Sequence, residues 1–536
     1  MGFFLSKGLN TSAGEQFTFC FIQNLEKPDR ETTSMIASND DRTNVTLVNT
    51  TDQYQIYRED GVHLIYHRPI ATLQNTGKEN KGLRVITEGS IPIVSFSRTA
   101  QHSGDMFTPF PDRQLGIDHV VLTYCDAVSH CILAVVGVID GATDVTIVFP
   151  STFKGVLLID NKQYEAGDKL YFTLYQLETF QLLSAANFSG VIVRSSHKVG
   201  VFVGADRTRL GNWHGNDHLE EALPPLTLWG KQYVLVSKGD DVVQIVSSAN
   251  ETQVNITTCD RTVQYVINAS IDVIELLMEC AFFYVSASHP ILVAHIMMSK
   301  TSFQNPSLYF PPPVMLYSKA YVVSPLPSLY SPCQVGLVAK LGDLEEIAAQ
   351  FTDDNVSWVN VSSTGFAVIT VILNSEKTVI VRSRNEPFGG HIYCHIRKYI
   401  AGSTRLVPYK DDIESSRVTR TSTTMSPHSL SINTSLTSVD NTSLNCSTTC
   451  CERHSPLVNL TAQELKAIVQ EFKTKLTVTK TATSAWKRKF NSANDDRPSS
   501  KGIGLLAAVF LTCVFGSVVL IDVTNFIAKK TSKTKN

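Results

Sequence analysis

Five acidic and imidazole side chains fall within eight consecutive residues, in His214-Gly-Asn-Asp-His218 and the Glu220-Glu221 pair. Two histidines four positions apart could hold a metal ion together if both lay on one face of a helix. Gly215 and Asn216 between them predict a loop instead. We therefore expect structural hydrogen bonds between repeating units to be the role of Asp217, His218 and Glu221. A divalent-cation site formed by the same three residues is the second hypothesis, and no cofactor is predicted.

Catalytic motifs are absent from the sequence. It contains no Gly-x-Ser-x-Gly elbow, no His-Glu-x-x-His helix and no Gly-x-x-x-x-Gly-Lys-Ser/Thr phosphate loop. The balance of 47 basic against 49 acidic residues leaves no positive field to attract nucleic acid. Trp213, Trp229 and Trp358 could offer stacking faces to sugars, although single tryptophans in β proteins more often belong to the core. The chain is therefore predicted to be neither an enzyme nor a nucleic-acid-binding protein.

The cysteine count favours disulfides. Ten of the eleven cysteines precede a long apolar segment, and the eleventh lies within it. An even number fits an oxidising compartment. Cys125 and Cys131 could close a hairpin, while Cys259 and Cys280 could clamp the middle of a repeat. A zinc site that joins the first pair with His130 is the alternative, but no second ligand pair of standard spacing follows.

The elements that must position these residues recur along the chain. A proline stands eight positions before the first residue of a short β-type run at three places: Pro111 and His119, Pro225 and Tyr233, Pro313 and Tyr321. An apolar strand that begins with serine precedes each proline, at Ser90, Ser196 and Ser288. The spacing predicts four units of roughly 100 residues. They begin near Phe17, His119, Tyr233 and Tyr321.

Short runs of alternating apolar and polar residues, separated by Gly, Asn, Asp and Pro, predict an all-β fold. A hairpin is expected between Val156 and Phe172, with turns at Asp160-Asn161 and Gly167-Asp168. We expect tandem β-sandwich-like repeat units within residues 14–400. A propeller-like ring is the alternative, because periodicity does not distinguish the two arrangements.

A long motif resembles the N-terminal domain family of the IgG-Fc-binding protein. Segments of that family read Asp-His-Leu-x-Glu-x-x-Pro-Pro-x-x-x-Trp-Gly-x-x-Tyr-Val, and this chain has Asp217-His-Leu-Glu-Glu-Ala-Leu-Pro-Pro-Leu-Thr-Leu-Trp-Gly-Lys-Gln-Tyr-Val234. The resemblance covers roughly residues 14–400 and implies adhesion or innate-immune recognition. Family members often carry a cysteine before the Asp-His pair, where this chain has Asn216, which puts in doubt the disulfide that the family would imply there. Residues 486–521 resemble the membrane-proximal end of invertebrate members.

Beyond the repeats, residues 401–460 read as a Ser/Thr-rich stalk with a cysteine cluster at 446–451. Residues 461–501 form a predicted juxtamembrane helical segment, which begins with a capping box at Thr461 and Glu464. Residues 502–521 carry no charge and are long enough to span a bilayer core of about 30 Å. The basic tail, 522–536, is then cytoplasmic by the positive-inside rule.

Asn-x-Ser/Thr triplets are frequent before the apolar segment and absent after it, which favours an extracellular or lumenal body. The candidate glycosylation sites are Asn44, Asn49, Asn187, Asn250, Asn255, Asn268, Asn355, Asn360, Asn433, Asn441, Asn445 and Asn459. The first residues have no apolar run of secretory length. We expect that a signal peptide is missing from this sequence; a tail-anchored cytosolic body and N-myristoylation at Gly2 are the alternatives.

These observations predict a single-pass type I plasma-membrane glycoprotein whose β ectodomain binds an extracellular protein or glycan partner. An oligomeric scaffold of the cell surface or mucus is the second hypothesis, because the stalk cysteines and juxtamembrane helix could join copies of the chain. A membrane-anchored hydrolase is the third.

Overall fold

The computed structural model describes the chain in stretches up to Pro408. These are residues 14–24, 30–37, 45–49, 55–59, 62–67, 71–88, 93–99, 103–209, 216–237, 241–259, 261–269, 271–297, 306–323, 333–351, 355–361, 364–373, 379–395 and 401–408. The predicted juxtamembrane helix, membrane span and tail, and the stalk beyond residue 408, lie outside them. Within the described stretches, no helix has both the length and the apolar character needed to cross a membrane.

Repeat 1 consists of two antiparallel sheets. Its strands are β1 (Gly14–Phe19), β2 (Arg30–Ala37), β3 (Val45–Asn49), β4 (Gln55–Glu59), β5 (Val62–His67), β6 (Gly77–Glu79), β7 (Leu83–Glu88), β8 (Ile93–Thr99) and β9 (Gly104–Phe107). One sheet has the order β1-β7-β3 and the other β4-β5-β2-β8-β9, while β6 joins the sheet of repeat 2.

Repeat 2 is organised around one strand of 18 residues, β17. Its strands are β10 (Gly116–Val120), β11 (Cys131–Gly137), β12 (Thr143–Val148), β13 (Leu157–Ile159), β14 (Lys162–Tyr164), β15 (Lys169–Leu174), β16 (Thr179–Ser184), β17 (Ile192–Arg209) and β18 (Asn216–Ala222). The first half of β17 pairs with β10 and β12, and its second half pairs with β11 and β18.

Repeat 3 has the same topology, with a long strand β24 of 16 residues. Its strands are β19 (Gly230–Val236), β20 (Asp241–Ser247), β21 (Thr252–Thr257), β22 (Thr262–Ile267), β23 (Val273–Met278), β24 (Phe282–Met297) and β25 (Ser307–Tyr309). The first half of β24 pairs with β19 and β21, and the second half pairs with β20 and β25.

Repeats 2 and 3 each have one long strand. In repeat 4 its place is taken by two separate strands, β30 and β31. In repeat 1 it is taken by β7 and β8. The elements of repeat 4 are β26 (Ala320–Val323), β27 (Cys333–Lys340), a short helix α1 (Leu344–Ala348), β28 (Asn355–Val361), β29 (Phe366–Ile372), β30 (Val379–Arg382), β31 (Gly389–His395), β32 (Ala401–Arg405) and β33 (Val407–Pro408). The stalk was expected to begin at residue 401. The β structure instead continues beyond residue 400, because β32 pairs with β31 and β33 pairs with β26.

The strand register confirms the internal repeat. The residues predicted to begin the four units each face a valine of β7, β17, β24 or β30: Phe17 faces Val85, His119 faces Val193, Tyr233 faces Val285, and Tyr321 faces Val381. All four are buried. The predicted hairpin is present around its first turn, where β13 pairs with β14 and positive φ angles occur at Asp160 (49°) and Asn161 (62°). After the second turn, β15 pairs with β12 and not with β14.

The repeated prolines open equivalent turns. Pro111, Pro225 and Pro313 each precede a 3₁₀ turn, at Asp112–Gln114, Leu226–Leu228 and Val314–Leu316. In each case the amide of the third turn residue donates to the proline carbonyl oxygen, at 2.8, 2.9 and 2.9 Å. A fixed φ and a missing donor suit proline to the entry of such a turn, since the first amides of a helix have no internal acceptor.

The four repeats close into a ring. Ile132 and Phe202 of repeat 2 pack in the core of repeat 1, and Leu292 of repeat 3 packs in the core of repeat 2. Repeats 3 and 4 share a further apolar cluster. Phe96 and Met106 of repeat 1 then pack in the core of repeat 4, which completes the circle. The fold is thus all-β with repeated units, as predicted, and the units are arranged in a ring.

Three disulfides link strands or strand ends in the described residues. The structure joins Cys125 to Cys131 and Cys259 to Cys280, the two pairs considered from the sequence. It also joins Cys333 to Cys394, which lie directly opposite each other on β27 and β31. No local pattern predicted this third pair, because its members are 61 positions apart.

Candidate functional site

One strand from each repeat reaches the centre of the ring: β9, β18, β25 and β32. β9 contacts β18 and β32, and β25 also contacts β18 and β32, so that the four strands form a closed circuit. The predicted site residues Asp217, His218 and Glu221 all lie on β18 and are buried. The expected loop is therefore wrong for these residues: Asn216–Ala222 is a strand, because it pairs with the second half of β17. His214 lies outside the described residues.

Asp217 joins repeat 2 to repeat 1. Its Oδ1 accepts a hydrogen bond from the amide of Gly104 at 2.6 Å and another from the amide of His218 at 2.9 Å. Gly104 is the first residue of β9. A carboxylate that satisfies buried amides in this way removes the cost of leaving them without an acceptor, about 1–3 kcal/mol each.

His218 and Glu220 form a buried pair on the same strand. Nδ1 of His218 lies 2.8 Å from the carbonyl oxygen of Ala205, which can only accept, so Nδ1 carries a proton. In a neutral imidazole Nε2 then accepts, and it lies 3.2 Å from Oε2 of Glu220. Burial raises the pKa of Glu220 well above its usual range. A proton held by Glu220 and shared with His218 satisfies both groups.

Glu221 joins repeat 2 to repeat 4. Its Oε2 accepts from Oγ1 of Thr404 at 3.4 Å, and Thr404 in turn contacts Thr108 of repeat 1 at 2.9 Å. Burial raises the pKa of Glu221 well above its usual range, and the guanidinium of Arg405 acts in the opposite direction. Burial lowers the pKa of Arg405 to about 10, although Glu221 acts in the other direction.

Asp105 is the central residue that sequence reasoning missed. Its carboxylate accepts from Oγ of Ser307 at 2.8 Å and from the amides of Met106, Leu308 and Glu220 at 2.9, 3.2 and 3.3 Å. These donors come from repeats 1, 2 and 3. Burial raises the pKa of Asp105 despite the donors. Its place six positions before Pro111 was the available signal, because Ser307 stands six positions before Pro313.

Asp217, His218 and Glu221 thus have three different sets of partners, in repeats 1, 2 and 4. In the part of the chain that the structure describes, no three His, Cys, Asp or Glu side chains are grouped so that they could hold a metal ion. The zinc alternative is wrong for Cys125 and Cys131, because they form a disulfide and their thiolates are not available. Nδ1 of His130 instead lies 2.8 Å from Oδ2 of Asp206.

An apolar cavity of about 280 Å³ adjoins the buried polar residues, and all four repeats contribute to its lining. The third residue of each proline turn lines it: Gln114, Leu228 and Leu316. Phe110 and Phe310 form part of the wall. Arg405 lies over the Phe110 ring, 3.6 Å from its centroid, and donates to the carbonyl oxygen of Pro109 at 3.3 Å. An ion pair between Glu15 and Arg113 lies at the edge of the same cavity.

The ring of four β repeats thus contains an apolar cavity with a few polar groups along its wall, which is the usual setting of a ligand site. The family model for the IgGFc binding protein matches residues 105–394, more than half of the chain. The chain therefore belongs to the IgGFc-binding protein family. It is 28% identical to the human IgGFc-binding protein over 229 residues, which are 40% of this chain. The matched region spans 4% of that relative's length.

Proposed function

We propose that this chain is a single-pass type I glycoprotein of the cell surface whose β ring binds an extracellular protein or glycan through the central cavity. The observation that carries the proposal is the cavity itself, to which all four repeats of the ring contribute. Concave, mostly apolar sites with a few polar groups are where proteins usually bind ligands. The family's name adds a first candidate, the Fc region of immunoglobulin G.

An extracellular location has independent support from the described residues. Three disulfides fit an oxidising compartment. Five candidate glycosylation sites are exposed, as an acceptor must be: Asn187, Asn250, Asn268, Asn355 and Asn360. Asn255 is half-buried, and the side chain of Asn49 is not described. The other candidates lie outside the described residues: Asn44, Asn433, Asn441, Asn445 and Asn459.

The location is tested with the full chain, expressed in animal cells with and without an added signal peptide. We expect the supplemented protein to be labelled at the cell surface and to lose mass when treated with a glycosidase. A protein that stays inside the cell without glycans in both forms would overturn the location and the membrane topology together.

Binding is tested on the same cells with purified human IgG Fc fragment and, separately, with an array of mucin-type glycans. The matched variants are Leu316→Ser and Met315→Ser. Both residues are exposed in one turn, but only Leu316 lines the cavity. We expect Leu316→Ser to weaken binding about tenfold and Met315→Ser to leave it unchanged, because the loss of one well-placed apolar contact costs about 1–3 kcal/mol. Equal effects of the two variants would exclude the cavity as the contact site.

A further inference from the structure

Trp358 has an unusual environment for a tryptophan. Its side chain is 56% exposed, whereas that of Trp229 is 3% exposed and donates through Nε1 to the carbonyl oxygen of Pro224 at 3.3 Å. The core role expected for single tryptophans therefore applies to Trp229 and not to Trp358. Trp358 lies on β28, the edge strand of the sheet with order β28-β29-β27-β31-β32. An indole so exposed leaves its ring faces open to contact by a ligand or a modification.

The sequence motif around Trp358 is a candidate site for such a modification. Asn360 follows two positions later on the same strand and is exposed, and Asn360-Val-Ser362 is an acceptor triplet. Residues two apart on a strand lie on the same face, about 7 Å from each other along the chain. The pairing agrees, since Trp358 faces Ile369 and Asn360 faces Ala367, two residues of one side of β29.

The same strand contains a natural control. Asn355 begins a second acceptor triplet on β28 and is exposed as well. It is an odd number of positions from Trp358, so it lies on the opposite face, together with Ser357 and Val359. Both asparagines share one strand, one edge and a similar exposure, but only Asn360 has an indole beside it.

We propose that the first N-acetylglucosamine of a glycan on Asn360 packs against the ring of Trp358. The apolar C–H face of a pyranose and the negative face of an indole are complementary, and contact removes exposed aromatic surface from water. The glycan also covers the open edge of β28 and prevents another strand from pairing there. This inference rests on the extracellular location of the proposed function.

The test uses the full chain with an added signal peptide, secretory expression, glycopeptide mass spectrometry and hydrogen exchange of residues 355–361. The glycan is removed in two ways, by Asn360→Gln and by Ser362→Ala, in the wild-type protein and in a Trp358→Ala background. We expect exchange in β28 to become roughly two- to tenfold faster without the glycan in the wild type. In the Trp358→Ala background the glycan should make no difference, and Asn355→Gln should have no effect that depends on Trp358.

The outcomes separate this inference from the proposed function. If Asn187 and Asn355 carry glycans but Asn360 does not, the contact is overturned and the extracellular location stands. An effect of the Asn360 glycan that persists in Trp358→Ala also overturns the contact. Self-association of the fully glycosylated wild type through β28 would show that a second chain, not the sugar, covers the edge. If no triplet is modified, both the contact and the location fail.

Discussion

The buried polar centre and the apolar cavity lie side by side in the ring, yet they differ in the residue types that form them and in the space that they leave for a partner. The centre contains the residue types that suggest chemistry, but each side chain described above has its partners within the protein. The cavity is lined mainly by prolines, phenylalanines and leucines, with Arg405 and the Glu15–Arg113 ion pair beside them, and it leaves about 280 Å³ open. Acidic and imidazole groups therefore connect the repeats, and the apolar residues offer the surface for a partner.

The largest expected effect comes from removing the carboxylate of Asp105, the central hydrogen-bond acceptor of the polar site. Asp105→Ala leaves one hydroxyl and three amides without their acceptor. We expect the free energy of unfolding to fall by at least about 3 kcal/mol, since each buried unsatisfied donor costs about 1–3 kcal/mol. Calorimetry of the purified full chain measures the effect. Leu316→Ser at the cavity is the control and should stay within about 0.5 kcal/mol of wild type. Similar losses in both variants would contradict the division between the two regions.

A second prediction tests the proline turns on which the cavity depends. A β-carbon on Gly230 would lie 2.3 Å from Cβ of Pro313, and one on Gly116 would lie 2.4 Å from Cβ of Pro225. Gly230→Ala should therefore cost about 1–3 kcal/mol through overpacking, and Gly116→Ala should cost a similar amount. Thermal unfolding provides the measurement. Gly342→Ala is the matched control, because no atom lies within 4 Å of its added carbon. Unchanged stability of both junction variants would show that the repeats separate easily at these contacts.

A third prediction concerns pH and tests the buried pair of His218 and Glu220. Burial raises the pKa of Glu220, so the folded protein holds a proton that the unfolded chain releases near its ordinary pKa of about 4.3. The stabilisation is complete below that value and is lost as the pH rises towards the folded pKa. The linkage relation gives up to about 1.4 kcal/mol per pH unit within this window.

Glu220→Gln removes this titration while it keeps the side-chain shape. We expect the unfolding temperature of the wild type to decrease more steeply than that of the variant between pH 5 and pH 8, in a series of about one pH unit per step. Leu316→Ser should retain the wild-type slope. A variant slope as steep as that of the wild type would mean that Glu220 does not carry the proton.

Local patterns predicted the strands, the repeat and two disulfides because each depends on residues close in sequence. Pro225 and Tyr233 fix the start of a strand by the missing donor and restricted φ of proline and by a β-favouring run. The turn at Asp160-Asn161 is equally local. The prediction of a loop around Asp217 was wrong. This segment is a strand because it pairs with β17, a tertiary contact that no short sequence pattern records.

The amino-acid sequence by itself determined the all-β character, the period of the repeat and the family of this protein, since each is written in short spacings that can be read directly. Only the tertiary structure decided that the repeats close into a ring, that Asp105 is the centre of the polar site and that Trp358 stays exposed while Trp229 is buried. The physical reason is distance along the chain: Thr108 and Thr404 meet across 296 positions. Such contacts form only when the last repeat packs against the first.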